Sequence, residues 1–163
     1  MKINLQELTY NLEKLFDAEN RIASIIQKSG LRFSTNKITA DLGEFYAFQL
    51  LSESKNLFES VHASPLSNSE FDLSGTLSSN SVLYDYFEME KIRIEVKTRR
   101  NQKGTKYLSS LKPEKFDLLC VVDIAQNYSL NKIFFVTSEK ADKYLDKKYQ
   151  RLIFKENMTF MDF

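Results

Sequence analysis

Apolar positions recur first at helical spacing. Leu5, Leu8, Leu12, Leu15, Ile22, Ile25 and Ile26 fall three or four residues apart or at multiples of that spacing, and Gly30 follows as a stop. One or two amphipathic helices are expected over the first thirty residues. The stripe keeps nearly a heptad period until Glu19. It suits packing on the domain's own sheet, or on the same helix of a second subunit. A second helix is predicted from about 37 to 51, with Thr35 or Thr39 as N-cap. Ala40, Glu44, Ala47 and Leu51 share its stripe, so Glu44 is an acid on a face of small and apolar residues.

The period then shortens to two. Residues 57 to 66 read as a strand that Pro65 ends, and a polar loop delivers Phe71-Asp72-Leu73 next to Gly75. Residues 78 to 81 suggest a turn, 82 to 87 another strand, and 88 to 91 a tight connection. From Lys91 the alternation is strict: Ile92, Ile94 and Val96 point one way, and Arg93, Glu95 and Lys97 the other. An antiparallel meander is the expectation. Residues 116 to 124 are apolar without alternation, which marks a central strand buried on both faces, with 132 to 137 as its neighbour. Ser138 is then expected to cap a charged helix reaching about Lys148, and the aromatic residues 151 to 163 to dock on the body.

With 163 residues, 42% of them apolar, the chain has material for one compact domain with a real core. The only cysteine, Cys120, lies inside the apolar run, so it reads as a small buried hydrophobe without an intrachain disulfide, and nothing suggests an oxidising compartment. No stretch has the length of a membrane span and the N-terminus lacks the apolar centre of a signal peptide, so a cytoplasmic location is expected. The net charge of +1 conceals a bias between residues 91 and 115, where nine basic residues face two acidic ones. That bias predicts a polyanionic partner, with a merely solvated surface as the alternative.

A carboxylate two residues before a lysine occurs at Glu53-Ser54-Lys55, Glu95-Val96-Lys97 and Asp146-Lys147-Lys148. Only the middle pair lies in an expected strand, where i and i+2 share a face; the competing reading is the solvated side of an edge strand. Phosphodiester hydrolysis needs oxygen ligands for a divalent cation, an activated water and positive charge near the phosphate. Asp72, Glu95 and Lys97 offer those groups. Asp72 is preferred to Asp85 because a loop feeding a strand places a ligand better than a mid-strand position. Gly43, beside Glu44, permits close approach to the second helix, which suggests that Glu44 points into a site. Nucleophilic chemistry by histidine or cysteine is disfavoured, since His62 reads as a strand residue and Cys120 as core. Neither zinc spacing nor a phosphate-cradling glycine loop is present.

Gly43-Glu44, then Phe71-Asp72-Leu73, then Ile94-Glu95-Val96-Lys97-Thr98-Arg99-Arg100, then the buried strand 116 to 124 together resemble the PD-(D/E)XK nuclease superfamily over residues 37 to 148. Phe71 stands where the name-giving proline would be. The resemblance implies an α/β, restriction-endonuclease-like fold: a central mixed sheet of four to five strands flanked by helices. Residues 1–36 would form an N-terminal helical segment suited to dimerisation, 37–148 the nuclease core and 149–163 a tail. It also implies Mg2+, or Mn2+ in its place, held by Asp72, Glu95 and the carbonyl of Val96. Lys97 would act on the attacking water and the phosphate, and Glu44 from the helix. Arg99, Arg100, Asn101, Gln102, Lys103 and Lys106 are the candidates for contact with double-stranded DNA. The activity implied is that of a DNA endonuclease, foremost a homodimeric type II restriction enzyme. A non-specific or repair-type nuclease, a DNA-binding subunit that needs a partner, and a protein-interaction domain are the alternatives.

Overall fold

The computed structural model describes residues 4–27, 36–65, 70–100 and 107–162. Two helices lead, α1 (Leu5–Gln27) and α2 (Asn36–Glu53), followed by strands β1 (Phe58–Ala63) and β2 (Leu73–Leu77). A short helix α3 (Val82–Phe87) precedes β3 (Lys91–Arg100) and β4 (Tyr107–Ser109). Then come β5 (Leu118–Ile124), β6 (Leu130–Thr137), α4 (Ser138–Lys143), β7 (Leu145–Asp146), β8 (Arg151–Ile153) and β9 (Met161–Asp162). The main sheet runs in the order β1-β2-β3-β5-β6-β9: five full strands and a two-residue sixth. It is mixed, because β3 and β5 are parallel while every other neighbouring pair is antiparallel.

The alternation in β3 sets the layers. Ile92, Ile94 and Val96 are buried with Ala47 and Leu51 of α2, Leu12 of α1, and Cys120 and Val122 of β5. The opposite face of β5 and β6, with Leu119, Val121, Phe134 and Val136, is covered by Leu108, Leu152, Phe154 and Ala141. Those residues come from α4, the segment after β8 and a small second sheet ordered β4-β8-β7. β5 is thus buried on both sides, as its unbroken apolar run predicts.

Four expectations are corrected. Residues 82–87 form a helix rather than a strand: the Ser81 hydroxyl accepts the Tyr84 amide at 3.1 Å, and Glu88 closes the helix in a left-handed conformation. The meander of β1, β2 and β3 survives with this helix inserted. The charged helix after β6 stops at Lys143 rather than near Lys148, because Leu145 and Asp146 pair with Leu152 and Arg151 as a hairpin. Its N-cap is Thr137 instead of Ser138. The leading helix is a single one of 23 residues, and the second begins at Asn36, so Thr39 is internal to it; Thr35 and Gly30 lie outside the described residues. The C-terminal aromatics do dock: Phe154 is fully buried, and Met161 pairs with Phe135.

Candidate active site

The site forms where the β2–β3 ladder ends. Pairing runs out at Leu73 opposite Ile94, and Asp72 continues it partway: its amide donates to the Ile94 carbonyl at 3.1 Å, and its carboxylate accepts the Val96 amide at 2.7 Å. Past that point β3 leaves β2 and, among the described residues, stays paired with β5 alone, opening a cleft beside Glu95 and Lys97. Two adjoining hollows, of about 260 and 320 Å³, share Asp72 and Lys97. The first also takes in Thr39, Ala40 and Glu44 of α2 with Val96 and Thr98; the second takes in Glu70, Phe71, Glu95, Ser110 and Lys112. Glu44, Asp72, Val96, Glu95 and Lys97 therefore meet across one cleft.

Each side chain has a local cause. Glu95 and Lys97 share a strand face, and Lys97 Nζ donates to Glu95 Oε1 at 2.5 Å, with side chains 25% and 13% exposed for Lys97 and Glu95 respectively. Glu44 is carried in by the closeness of α2 to β3. A Cβ at Gly43 would lie 1.6 Å from Thr98 Oγ1, so only glycine lets the helix sit this low.

The carboxylates disturb one another. Desolvation raises the Glu95 pKa against the lowering pull of Lys97, and the charge of Asp72 adds to the rise. Glu44 keeps a solvent-exposed edge, yet the cleft walls desolvate it and Asp72, Asp41 and Glu95 repel its charge, raising its pKa despite Lys97. On this face the carboxylates of Glu44, Asp72 and Glu95 outnumber the one ammonium of Lys97, with Lys112 on the other wall. Among the described residues, no three acidic, histidine or cysteine side chains converge as a ready-made metal cage. A small hard cation does not require one, since one or two carboxylates with water and a substrate phosphate complete its shell. The oxygen donors Asp72 and Glu95 fit that requirement.

The remaining candidates are placed differently. Asp85, the rival of Asp72, lies exposed on α3 and lines neither hollow. Arg99 is 7% exposed; its guanidinium lies 4.7 Å from the Phe154 ring centre and 5.6 Å from that of Phe134, and it pairs with Asp123 at 3.1 Å. Arg100 lies over Tyr128 and binds both carboxylate oxygens of Glu19 on α1, at 2.8 and 2.6 Å. Both arginines are engaged within the protein's own fold, Arg99 by Asp123 and Arg100 by Glu19. Asn101, Gln102, Lys103 and Lys106 lie outside the described residues. His62 is an exposed residue of β1, and Cys120 is fully buried with its thiol pKa pushed up by desolvation. Lys112, Ser110 and Thr98 were not singled out as site residues in the sequence, although Lys112 belongs to the basic segment.

No family model matches the chain, and no curated protein matches it. A solved structure described as that of a bacterial homing endonuclease, I-Ssp6803I, is similar with 12% identity and a TM-score of 0.41 over 65% of this chain and 71% of that one. A likeness of that degree assigns neither a family nor an activity.

Proposed function

We propose that the chain is a metal-dependent DNA endonuclease of the PD-(D/E)XK type. The observation that carries this reading is the cleft at the end of the β2–β3 ladder, where Asp72, Glu95 and Lys97 converge under Glu44. Asp72 and Glu95 would hold Mg2+, with the Val96 carbonyl as a further donor and Mn2+ as a substitute. Once bound, the ion supplies Lewis-acid polarisation of the phosphate and acidifies a water. Lys97 would place its ammonium against the charge that grows on the scissile phosphate. Glu44, with its raised pKa, is suited to take a proton from the attacking water. Lys112, on the other wall, offers a phosphate contact that holds the strand in register.

Within this class we favour a site-specific cutter of restriction type acting as a homodimer on double-stranded DNA. Leu5, Tyr10 and Ile22 leave α1 with large exposed apolar side chains, which suits contact with a second copy. Residues 101–103 and Lys106 stay as candidate base or phosphate contacts, and Arg99 and Arg100 leave that set. The test is incubation of the purified protein with supercoiled and linear DNA, with Mg2+ or EDTA, alongside Lys97→Ala. Discrete fragments that require Mg2+ and Lys97 are expected. A smear would favour the non-specific alternative, and intact DNA under every condition would overturn the reading.

A further inference from the structure

A hollow of about 500 Å³ lies away from the cleft, between α4 and the β4-β8-β7 sheet. That volume falls within the roughly 300–1,000 Å³ typical of small-ligand sites. Its lining alternates aromatic and basic groups: Tyr107, Tyr144, Lys140, Arg151 and Lys155, with Asp146 and Asn157 as the other polar members. Tyr107 and Tyr144 are 40% and 56% exposed, and Lys143 Nζ lies 5.7 Å from the centre of the Tyr144 ring. The Arg151 guanidinium lies 4.4 Å from the Tyr107 ring centre and 4.4 Å from that of Tyr149, and its Nε pairs with the Asp146 carboxylate at 3.6 Å without a hydrogen bond. Among the described residues, no ion pair or hydrogen bond engages the side chains of Lys140, Lys155 or Asn157. Basic side chains interleaved with exposed aromatic side chains form the chemistry that holds unstacked nucleotides: bases stack on the rings, and phosphates meet the cations.

The hollow is also tied to the cleft. Tyr107 begins β4 and lines the hollow, while Ser110, one residue past that strand, lines the cleft. Three strand residues cover about 10 Å, roughly three base steps along one DNA strand. We infer that this hollow receives an unstacked nucleotide of the DNA strand whose phosphate occupies the cleft, its base against Tyr144 and its phosphate against Lys155 and Lys140. The inference rests on the nuclease reading for what lies in the cleft. The pocket's own chemistry selects an unpaired base, from single-stranded DNA or from a base turned out of a duplex.

The test is fluorescence anisotropy in EDTA with three labelled probes: a single-stranded oligodeoxynucleotide, the matched duplex, and the same duplex with one unpaired base. The wild-type chain is expected to hold the first and third more tightly than the second. Tyr144→Ala should weaken those two by about ten-fold, the loss of one stacked base, while Tyr144→Phe keeps them. Lys155→Ala should lower the salt dependence by about one phosphate contact. Equal affinity for all three probes, or unchanged binding in Tyr144→Ala and Lys155→Ala, would overturn the inference. Lys97→Ala separates the two readings, since it should abolish cutting in Mg2+ and leave the Tyr144-dependent preference intact. Intact DNA in Mg2+ together with that preference would sink the nuclease reading and leave the pocket standing.

Discussion

The carboxylate of Asp72 accepts the backbone amide of Val96 at 2.7 Å, so a side chain takes the rung that β2 vacates and points the β3 strand into the cleft. One residue thereby closes the ladder and, in the proposed mechanism, holds the cation. The two roles separate by substitution. Asp72→Asn keeps an oxygen for the Val96 amide, and its melting temperature should stay near that of wild type. Asp72→Ala strands the amide at a cost of about 1–3 kcal/mol, a drop of several degrees for a chain of this size. Both should lose cleavage and cation binding, read by calorimetric titration with Mn2+. Retained cleavage in Asp72→Asn would remove the residue from the ligand set.

Gly43 and Thr98 set how deeply α2 sits. Alanine normally favours a helix over glycine by about 1 kcal/mol, but here the new Cβ would meet Thr98 Oγ1 at 1.6 Å. The clash should dominate, making Gly43→Ala destabilising by about 1–3 kcal/mol by urea denaturation and lowering activity through displacement of Glu44. Adding Thr98→Ala should rescue only part of the loss, since Thr98 Cβ itself would remain 2.8 Å away.

These two pairs show what was legible in the sequence. The alternation of β3 and the unbroken apolar run of β5 correctly predicted a strand open on one face beside one closed on both. Gly43 next to Glu44 pointed to a close approach, though not to Thr98 as the neighbour. Residues 82–87 misled because Val82, Tyr84 and Tyr86 alternate with good strand formers, yet the Ser81 cap and the burial of Leu83 turn them into a helix. The internal partners of Arg99 were not legible, because it shares a strand face with Glu95 and Lys97. β3 simply runs on past the cleft and beneath Phe154, a neighbour 55 residues away in the chain that no local pattern reveals.

Acid should act on the protein in two opposing ways. Burial alone would raise the Asp117 pKa, but hydrogen bonds from the Arg93 amide at 2.7 Å and its guanidinium at 2.9 and 3.1 Å prevail and lower it. A lowered carboxylate pKa contributes stability that is present above the unfolded value, about 3.9, and is lost as pH falls through the folded value. Glu44 and Glu95 carry the opposite sign: their raised pKa values make the charged forms a cost to the fold at neutral pH, relieved as pH falls. Urea midpoints between about pH 2 and pH 7 should show Asp117→Asn losing the steep decline at the acid end. An unchanged decline would rule out the Asp117 bond as its source.

Repulsion among the cleft carboxylates makes a second prediction about stability. Glu44→Gln removes a charge that Asp72, Asp41 and Glu95 oppose, so its melting temperature in EDTA at neutral pH should rise while cleavage falls. Mg2+ should raise the wild-type melting temperature by mass action, and the rise should shrink in Glu95→Gln. Equal shifts in both proteins would place the cation away from this cleft.

The salt dependence of DNA binding distinguishes a structural arginine from a phosphate contact. Arg99 lies in an aromatic pocket with Asp123 as its partner, so Arg99→Gln should cost about 2 kcal/mol of stability and leave the slope of log affinity against log salt unchanged. Lys112 is exposed on the cleft wall, so Lys112→Ala should leave stability unchanged and reduce that slope by about one unit. Because a released counterion registers only where a cation meets a phosphate, a reduced slope in Arg99→Gln would return that arginine to the DNA interface. An unchanged slope in Lys112→Ala would move the phosphate path away from this wall of the cleft.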